Sequence, residues 1–238
     1  MYDIVFITYK EEISSSYYIE EVVKKFPYHR THWVRGVKGI HNAHKEAAGR
    51  VFSKMFYVVD ADAKLLPSFK FDTKLDPSEE DIVHVWRAIN PVNGLEYGFG
   101  GVKLLPTELT RVMSIDSVDM TTSISPRFKI MPDISNVTAF NTDPLSTWRS
   151  AFRECVKLAS RIIPGQDNSQ SEQRLHAWIH FGGNEPFGEY SKGGASAGQW
   201  YGTTYKDDPE ALAKINDYDW LEHQFNAHIE QFPPETFK

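Results

Sequence analysis

The sequence predicts an α/β fold, with a mainly parallel central sheet flanked by helices and a helical C-terminal part. Strand and helix patterns alternate through the first third of the chain. An apolar run, Met55-Phe56-Tyr57-Val58-Val59, ends abruptly in Asp60 and Asp62. After Asp143-Pro144 the pattern is mostly helical, interrupted by a glycine-rich stretch.

Residues 3–8 form a short apolar run suited to a buried parallel strand. Residues 14–25 open with serines able to cap a helix and space Tyr17, Tyr18, Val22 and Val23 helically. Residues 32–34 give a short second strand. Gly39 then leads into a helix over residues 40–52, where Ala43, Ala47, Ala48 and Val51 suit close packing on a sheet. Residues 55–59 are the third strand. This β-α-β-α-β order implies right-handed crossovers and parallel strands.

Past the aspartates, Pro67 and Pro77 mark an irregular or edge segment. Residues 81–89 alternate as a strand. Asn90-Pro91-Val92-Asn93-Gly94 is turn chemistry, and residues 97–101 form an aromatic–glycine loop running into a strand over 102–105. Residues 128–131 and 136–140 are two further short strands. Residues 145–163 make the longest helical pattern, with Trp148, Phe152, Cys155, Val156 and Ala159 as its apolar stripe and Pro164-Gly165 as its stop. A helix over 169–181 follows, then a glycine-rich loop over 182–202, of which residues 188–202 read as a mobile lid. Helices around 209–215 and 218–229 complete the chain. With no repeat and no clean linker, one domain over 1–238 is the economical organisation.

Composition excludes several classes. The 238 residues suffice for one large core or two small ones, and 13% aromatics favour a packed fold over disorder. A single cysteine, Cys155, allows no intrachain disulfide and suits a reducing compartment. No apolar run reaches transmembrane length and no signal-peptide pattern opens the chain, so a cytoplasmic protein without a membrane partner is expected. The net charge of −6 weighs against bulk nucleic-acid affinity. Locally, though, residues 28–54 carry Arg30, Arg35, Lys38, Lys45, Arg50 and Lys54 against Glu46 alone. That stretch is either a solvated face or a basic face for an anionic ligand. The acids after Tyr205 balance it.

The aspartate pair admits two readings. On a strand, i and i+2 point the same way, so both carboxylates would converge at the carboxyl edge of the sheet, where open α/β folds bind ligands. A hard divalent cation carrying phosphates needs such a place. Alternatively, the pair is an acidic turn that caps the next segment. Other nucleotide chemistries find no support: the chain has no Gly-Lys-Ser/Thr ending of a P-loop and no Gly-x-Gly-x-x-Gly at its start. It also lacks paired-cysteine zinc spacing.

Ile7-Thr8-Tyr9-Lys10, the small-residue helix from Gly39 to Ala48, and the strand Phe56–Asp62 with its Asp-x-Asp together resemble the GT-A type glycosyltransferases. Residues 90–103 and 147–155 are similar to glycosyltransferases of tailed phages that modify hydroxymethylcytosine in DNA. The resemblance implies a nucleotide-sugar-binding half over 1–105 and an acceptor side over 106–238. It implies Mn²⁺ or Mg²⁺ held directly by Asp62, with Asp60 helping through water or the ribose. Thr8 and Tyr9 would meet the nucleotide, and Arg35, Lys38, Asn42 and Lys45 the diphosphate; each of these last is also readable as a plain surface residue. Tyr97, Gly100 and Gly101 would approach the sugar, and Lys103 an anion. The implied donor is a nucleotide-diphosphate sugar, a UDP-sugar foremost. The implied acceptor is a hydroxyl, in hydroxymethylcytosine DNA (or its glycosylated form) or in a glycan or lipopolysaccharide.

An inverting member needs a carboxylate base, for which Asp167 and Glu172 are the expected residues. They form no strict Glu-Asp pair, so the stereochemical outcome stays open. His180-Phe181-Gly182-Gly183 is similar to the His-x-x-Gly of retaining members, although Glu185 stands near where those place a lysine. Nucleotidyl transfer and a non-catalytic binding protein of the same fold are the alternatives.

Overall fold

The computed structural model describes residues 1–9, 18–98, 100–115, 117–163 and 167–237. The chain forms two compact units, one of residues 1–89 and 96–138, the other of residues 90–95 and 139–238. Of the expected helix over 14–25, residues 14–17 lie outside the described residues, as do Lys10, Phe99 and Pro164-Gly165.

The first unit is built on a mixed sheet. Its strands are β1 (Asp3–Thr8), β2 (Thr31–Arg35), β3 (Met55–Asp60), β4 (Ala63–Leu65), β5 (Val83–Ile89), β6 (Glu96–Tyr97), β7 (Val102–Pro106) and β8 (Phe128–Thr138). The order is β2-β1-β3-β7-β5-β8-β4, with β6 paired to β5. Only β2-β1-β3 and the β5–β8 pair run parallel; β7 is antiparallel to both β3 and β5. The sheet is thus mixed, where a mainly parallel one was expected. The crossover helix α1 (Ile40–Arg50) links β2 to β3, which run parallel on either side of β1.

Strand alternation sorts the apolar residues onto two faces. Ile4, Phe6, Met55, Tyr57, Val59, Val102 and Leu104 join Val22, Phe69 and Phe71 in one cluster. Val5, Phe56, Val58 and Leu105 join Ala47 and Ala48 of α1 and Val51 just after it, together with Met113, Met120 and Ile124, in the other. The last three belong to or flank two short helices, α2 (Thr107–Val112) and α3 (Met120–Ile124).

The strand order also requires curvature. From Asp60 to Ala63 is three Cα steps, at most about 11 Å, yet β7, β5 and β8 lie between β3 and β4. Four inter-strand spacings in a flat sheet would span roughly 19 Å. The sheet therefore curls until its far edge returns to the end of β3. A break in β8 permits this: Met131 pairs with Trp86 and Ile134 with Arg87, leaving Pro132 and Asp133 bulged. The two short strands expected over 128–131 and 136–140 are in fact this one bulged strand.

The second unit is helical: α4 (Pro144–Ser160), α5 (Asn168–His180), α6 (Gly188–Thr204), α7 (Pro209–Ala213) and α8 (Tyr218–Gln231). Aspartates start four of them, Asp143, Asp167, Asp208 and Asp217 each accepting a backbone N–H in the first turn. The acidic C-terminal stretch is therefore partly helix-capping chemistry. Among the described residues no helix is long and apolar enough to cross a membrane.

The expected glycine-rich loop over 182–202, with its lid over 188–202, is mostly the helix α6. Gly194, Gly198 and Gly202 recur every fourth residue and so share one face. A Cβ on them would lie 2.3, 2.4 and 2.6 Å from the carbonyl oxygens of Trp148, Phe152 and Val156, which recur with the same spacing on α4. The glycines let two helix backbones touch, and this packing supplies what glycine withholds in helix propensity.

Candidate functional site

The carboxyl ends of β2, β1 and β3 lie along one sheet edge, where Thr8 pairs with Arg35 and Ile7 with Asp60. Alternation decides which face each side chain takes. Thr8 follows Phe6 and faces the first cluster, where its Oγ1 accepts a 3.0 Å hydrogen bond from Trp33 Nε1. Asp60 follows Val58 and faces α1. The edge thus offers Thr8 and Asp60 on opposite faces. Tyr9 is half-buried just beyond β1.

Asp60 is held by Lys103, a residue sequence reasoning gave only a minor part. Lys103 lies opposite Val58 in the antiparallel β3–β7 pair, so Asp60, two residues on, is its diagonal neighbour on the same face. Lys103 Nζ donates to Asp60 Oδ2 at 2.7 Å, with the lysine side chain 4% exposed and the aspartate 31%. The Asp60 backbone N–H donates to Gly101 O at 2.9 Å, closing the clasp. The signal was present in the sequence: a lysine inside Val102-Lys103-Leu104-Leu105 must find a partner when the strand is buried.

The two glycines before Lys103 serve the same clasp. Gly100 has φ +78°, and a Cβ there would come 3.1 Å from Lys103 Cε. A Cβ on Gly101 would lie 2.7 Å from Asn136 Nδ2. Asn136, fully buried on β8, accepts from Ser135 Oγ and donates to Thr138 Oγ1. Thr138 pairs with Ala63, directly after Asp62. Gly101, Asn136 and Thr138 therefore converge on the aspartate turn through the sheet's curl.

Asp62 is half-buried in the two-residue turn between β3 and β4. The strand argument for two carboxylates on one side does not hold, because β3 ends at Asp60. Asp60 ends the strand and Asp62 lies in the turn, at the carboxyl end of β3. Among the described residues no three His, Cys, Asp or Glu side chains converge as a metal cluster.

On the α1 side, His44 is buried. Its Nδ1 bonds Ile40 O at 2.8 Å, and its Nε2 is buried without a partner. Burial pushes its pKa down to about 3, and the charge of nearby Lys103 adds to the shift. A neutral imidazole thus stands beside the Lys103–Asp60 pair.

The remaining expected residues divide clearly. Lys45 Nζ donates to Met113 O at 3.1 Å, tying α1 to the segment after α2. Exposed Asn42 donates to Lys38 O, and Lys38 is itself exposed. Arg35 is exposed and spreads over the Trp33 ring, 3.2 Å from its centroid. Arg30 lies over Phe52, Arg50 pairs with Glu46 and Lys54 with Glu80. The basic stretch 28–54 is thus largely engaged within the chain. Tyr97 is 6% exposed on β6, and Trp86, 2% exposed, packs on Tyr57 and Phe69 as core.

The acids expected as base both lie in the second unit with structural partners. Asp167 caps α5 through Gln170 N at 2.7 Å, and exposed Glu172 pairs with Arg161. Helix capping accounts for the acid that the sequence offered near a helix start. His180 is exposed in the last turn of α5. Gly182, with φ +83°, owes its identity to packing: a Cβ would meet Val92 O at 2.1 Å.

No protein-family model matches the chain, and no curated protein matches it significantly. Among solved structures, the crystal structure of HddC from Yersinia pseudotuberculosis matches with a TM-score of 0.33 and 13% identity, covering 56% of this chain and 90% of that one.

Proposed function

We propose that the chain is a transferase that takes a nucleotide-diphosphate sugar as donor and passes the sugar to a hydroxyl acceptor. The supporting observation is the clasp at the carboxyl end of β3, where Lys103 orients Asp60 and Asp62 follows in the turn. Lys103 fixes one carboxylate oxygen of Asp60 and sets a buried positive charge at the edge that phosphates would approach. Arg35, spread on Trp33 at the end of β2, offers a second cation on that edge.

Two carboxylates are a donor set that suits Mn²⁺ or Mg²⁺, whose other ligands are water and phosphate oxygens. In this reading Asp62 holds the cation and Asp60, already bonded to Lys103, supports it. When bound, the cation supplies charge neutralisation on the departing diphosphate. The donor proposed first is a UDP-sugar. Hydroxymethylcytosine in DNA is the first acceptor to try, on the strength of sequence resemblance, with a glycan second.

The test measures product release with Mn²⁺ present. Nucleoside diphosphate released from UDP- or GDP-sugars, and lost in Asp62→Ala at unchanged melting temperature, supports the proposal. Pyrophosphate released from nucleoside triphosphate and sugar 1-phosphate would instead make the chain a nucleotidyltransferase. Donor binding by thermal shift without turnover for any acceptor would make it a binding protein.

A further inference from the structure

The second unit contains a cavity of about 650 Å³ between α4, α6, α8 and the C-terminal turn Pro234–Phe237. Its volume falls in the range of small-molecule sites, roughly 300–1,000 Å³. Six aromatic rings wall it: Trp148, Phe152, Trp200, Tyr201, Phe232 and Phe237. Trp148 and Phe152 stack at 4.8 Å, and Tyr201 leans on Phe152 at 5.6 Å. Trp200 is 64% exposed, an unusual position for the largest apolar side chain and one that leaves its ring at the cavity's edge open to solvent.

The polar groups of the lining define the ligand further. They are Ser196, Gln224, His228, Gln231 and Thr236, with no Asp, Glu, Lys or Arg among them. His228 is held neutral by burial, which lowers its pKa. A charged ligand would lose its hydration here without a counter-charge, so the lining selects an uncharged one. Trp148 is 1% exposed, and its indole N–H is buried with no acceptor. Buried tryptophans ordinarily find a partner for that group. What Trp148 lacks is a hydrogen-bond acceptor, and His228 Nε2 is likewise buried without a partner.

We infer that this cavity is a binding site for an uncharged, largely aromatic small molecule bearing one hydrogen-bond acceptor for Trp148 Nε1. The site lies wholly within the helical unit and is independent of any transfer chemistry at Asp60 and Asp62. Aromatic walls give such a molecule apolar contact and offset stacking, and the indole N–H fixes its orientation.

Nile red is a suitable probe, being neutral, flat and carbonyl-bearing, with emission that shifts to the blue in apolar surroundings. Titrated into the full-length protein, it should bind saturably at one site per chain with blue-shifted emission. Ala197→Phe and Ala227→Phe fill the cavity from α6 and α8 respectively. Whichever variant retains the wild-type circular dichroism and melting profile should bind at least tenfold more weakly. Trp148→Phe keeps the ring stack but deletes the N–H, and should weaken binding about fivefold, the worth of one neutral hydrogen bond. Non-saturable binding, or undiminished binding in a folded cavity-filled variant, overturns the site. Undiminished binding in Trp148→Phe overturns the assignment of the acceptor.

Discussion

Two glycine-to-alanine substitutions in helices of this chain should have opposite effects. In an exposed helix alanine is better than glycine by about 0.8–1 kcal/mol, because glycine loses more backbone entropy. Gly49 is near the end of α1, and a Cβ there meets nothing within 4 Å. Gly49→Ala should therefore stabilise the protein by about 0.5–1 kcal/mol. Gly198 is mid-helix in α6, where a Cβ would lie 2.4 Å from Phe152 O and 2.9 Å from Phe152 Cα. Real carbon–oxygen contacts need roughly 3.2 Å or more, and the obstructing atoms are backbone, which cannot rotate aside. Helices α4 and α6 must then separate by nearly 1 Å along their contact. Overpacking costs about 1–3 kcal/mol where side chains can adjust, and a rigid backbone obstacle places this case at the top of that range. After subtracting the propensity gain, Gly198→Ala should lose about 2 kcal/mol. In a chain of this length that is roughly 4–8 °C in melting temperature. Thermal melts of the wild type and both variants under one buffer provide the assay. If Gly198→Ala melts at or above the wild type, as Gly49→Ala should, the backbone-to-backbone packing of α4 on α6 is wrong.

Removing Asp60 strands the buried Lys103 ammonium, so Asp60→Ala should cost about 2 kcal/mol in urea unfolding, discounted from the full buried-pair range because Asp60 is 31% exposed. Lys103→Met should cost less, since the aspartate left behind can hydrate, and equal losses would refute that asymmetry. His44 stays neutral in the fold down to about pH 3, whereas an unfolded histidine protonates near 6.5. The unfolded state therefore binds more protons between those values, and stability should fall as pH drops from about 6.5 toward 3. His44→Gln should flatten that slope in urea midpoints taken at pH 7 and 5, the residual slope coming from His84 and His228, which burial also lowers. Cys155 is fully buried, and burial raises its thiol pKa well above the ordinary value. Ellman's reagent should therefore label it only when denaturant unfolds α4, and prompt labelling of the native protein would contradict its burial.

Where local chemistry decides structure, the sequence was legible. Apolar runs at residues 3–8 and 55–59 became β1 and β3, and Asp143-Pro144 started α4. The failures fall where a distant partner decides. Glycine is a poor helix former taken alone, so residues 182–202 read as loop, and the every-fourth-residue spacing of Gly194, Gly198 and Gly202 acquires meaning only opposite α4. Residues 128–131 and 136–140 read as two strands, with Pro132 between them. Pro132 is tolerated because β5 skips it through a bulge, a fact that lies in the pairing and not in the residue.

The site follows the same division. The carboxyl end of β3 was readable because a β-α-β unit fixes which edge of the sheet its strands point to. What surrounds Asp60 was not, because Asn136 and Thr138 arrive from β8, more than seventy residues away, through curvature of the sheet. A turn of two residues can join β3 to β4 only if the sheet closes on itself at that point. The same closure draws Gly101 onto Asn136, beside the β3–β7 pairing that holds Lys103 to Asp60. The Asp-x-Asp turn is consequently the seam of the sheet as well as its candidate site. Asp60 belongs to the seam through Lys103, and its removal confounds binding with stability. Asp62, in the turn that follows, is the residue on which the proposed cation rests, and its substitution reports on binding where the melting temperature stays at the wild-type value.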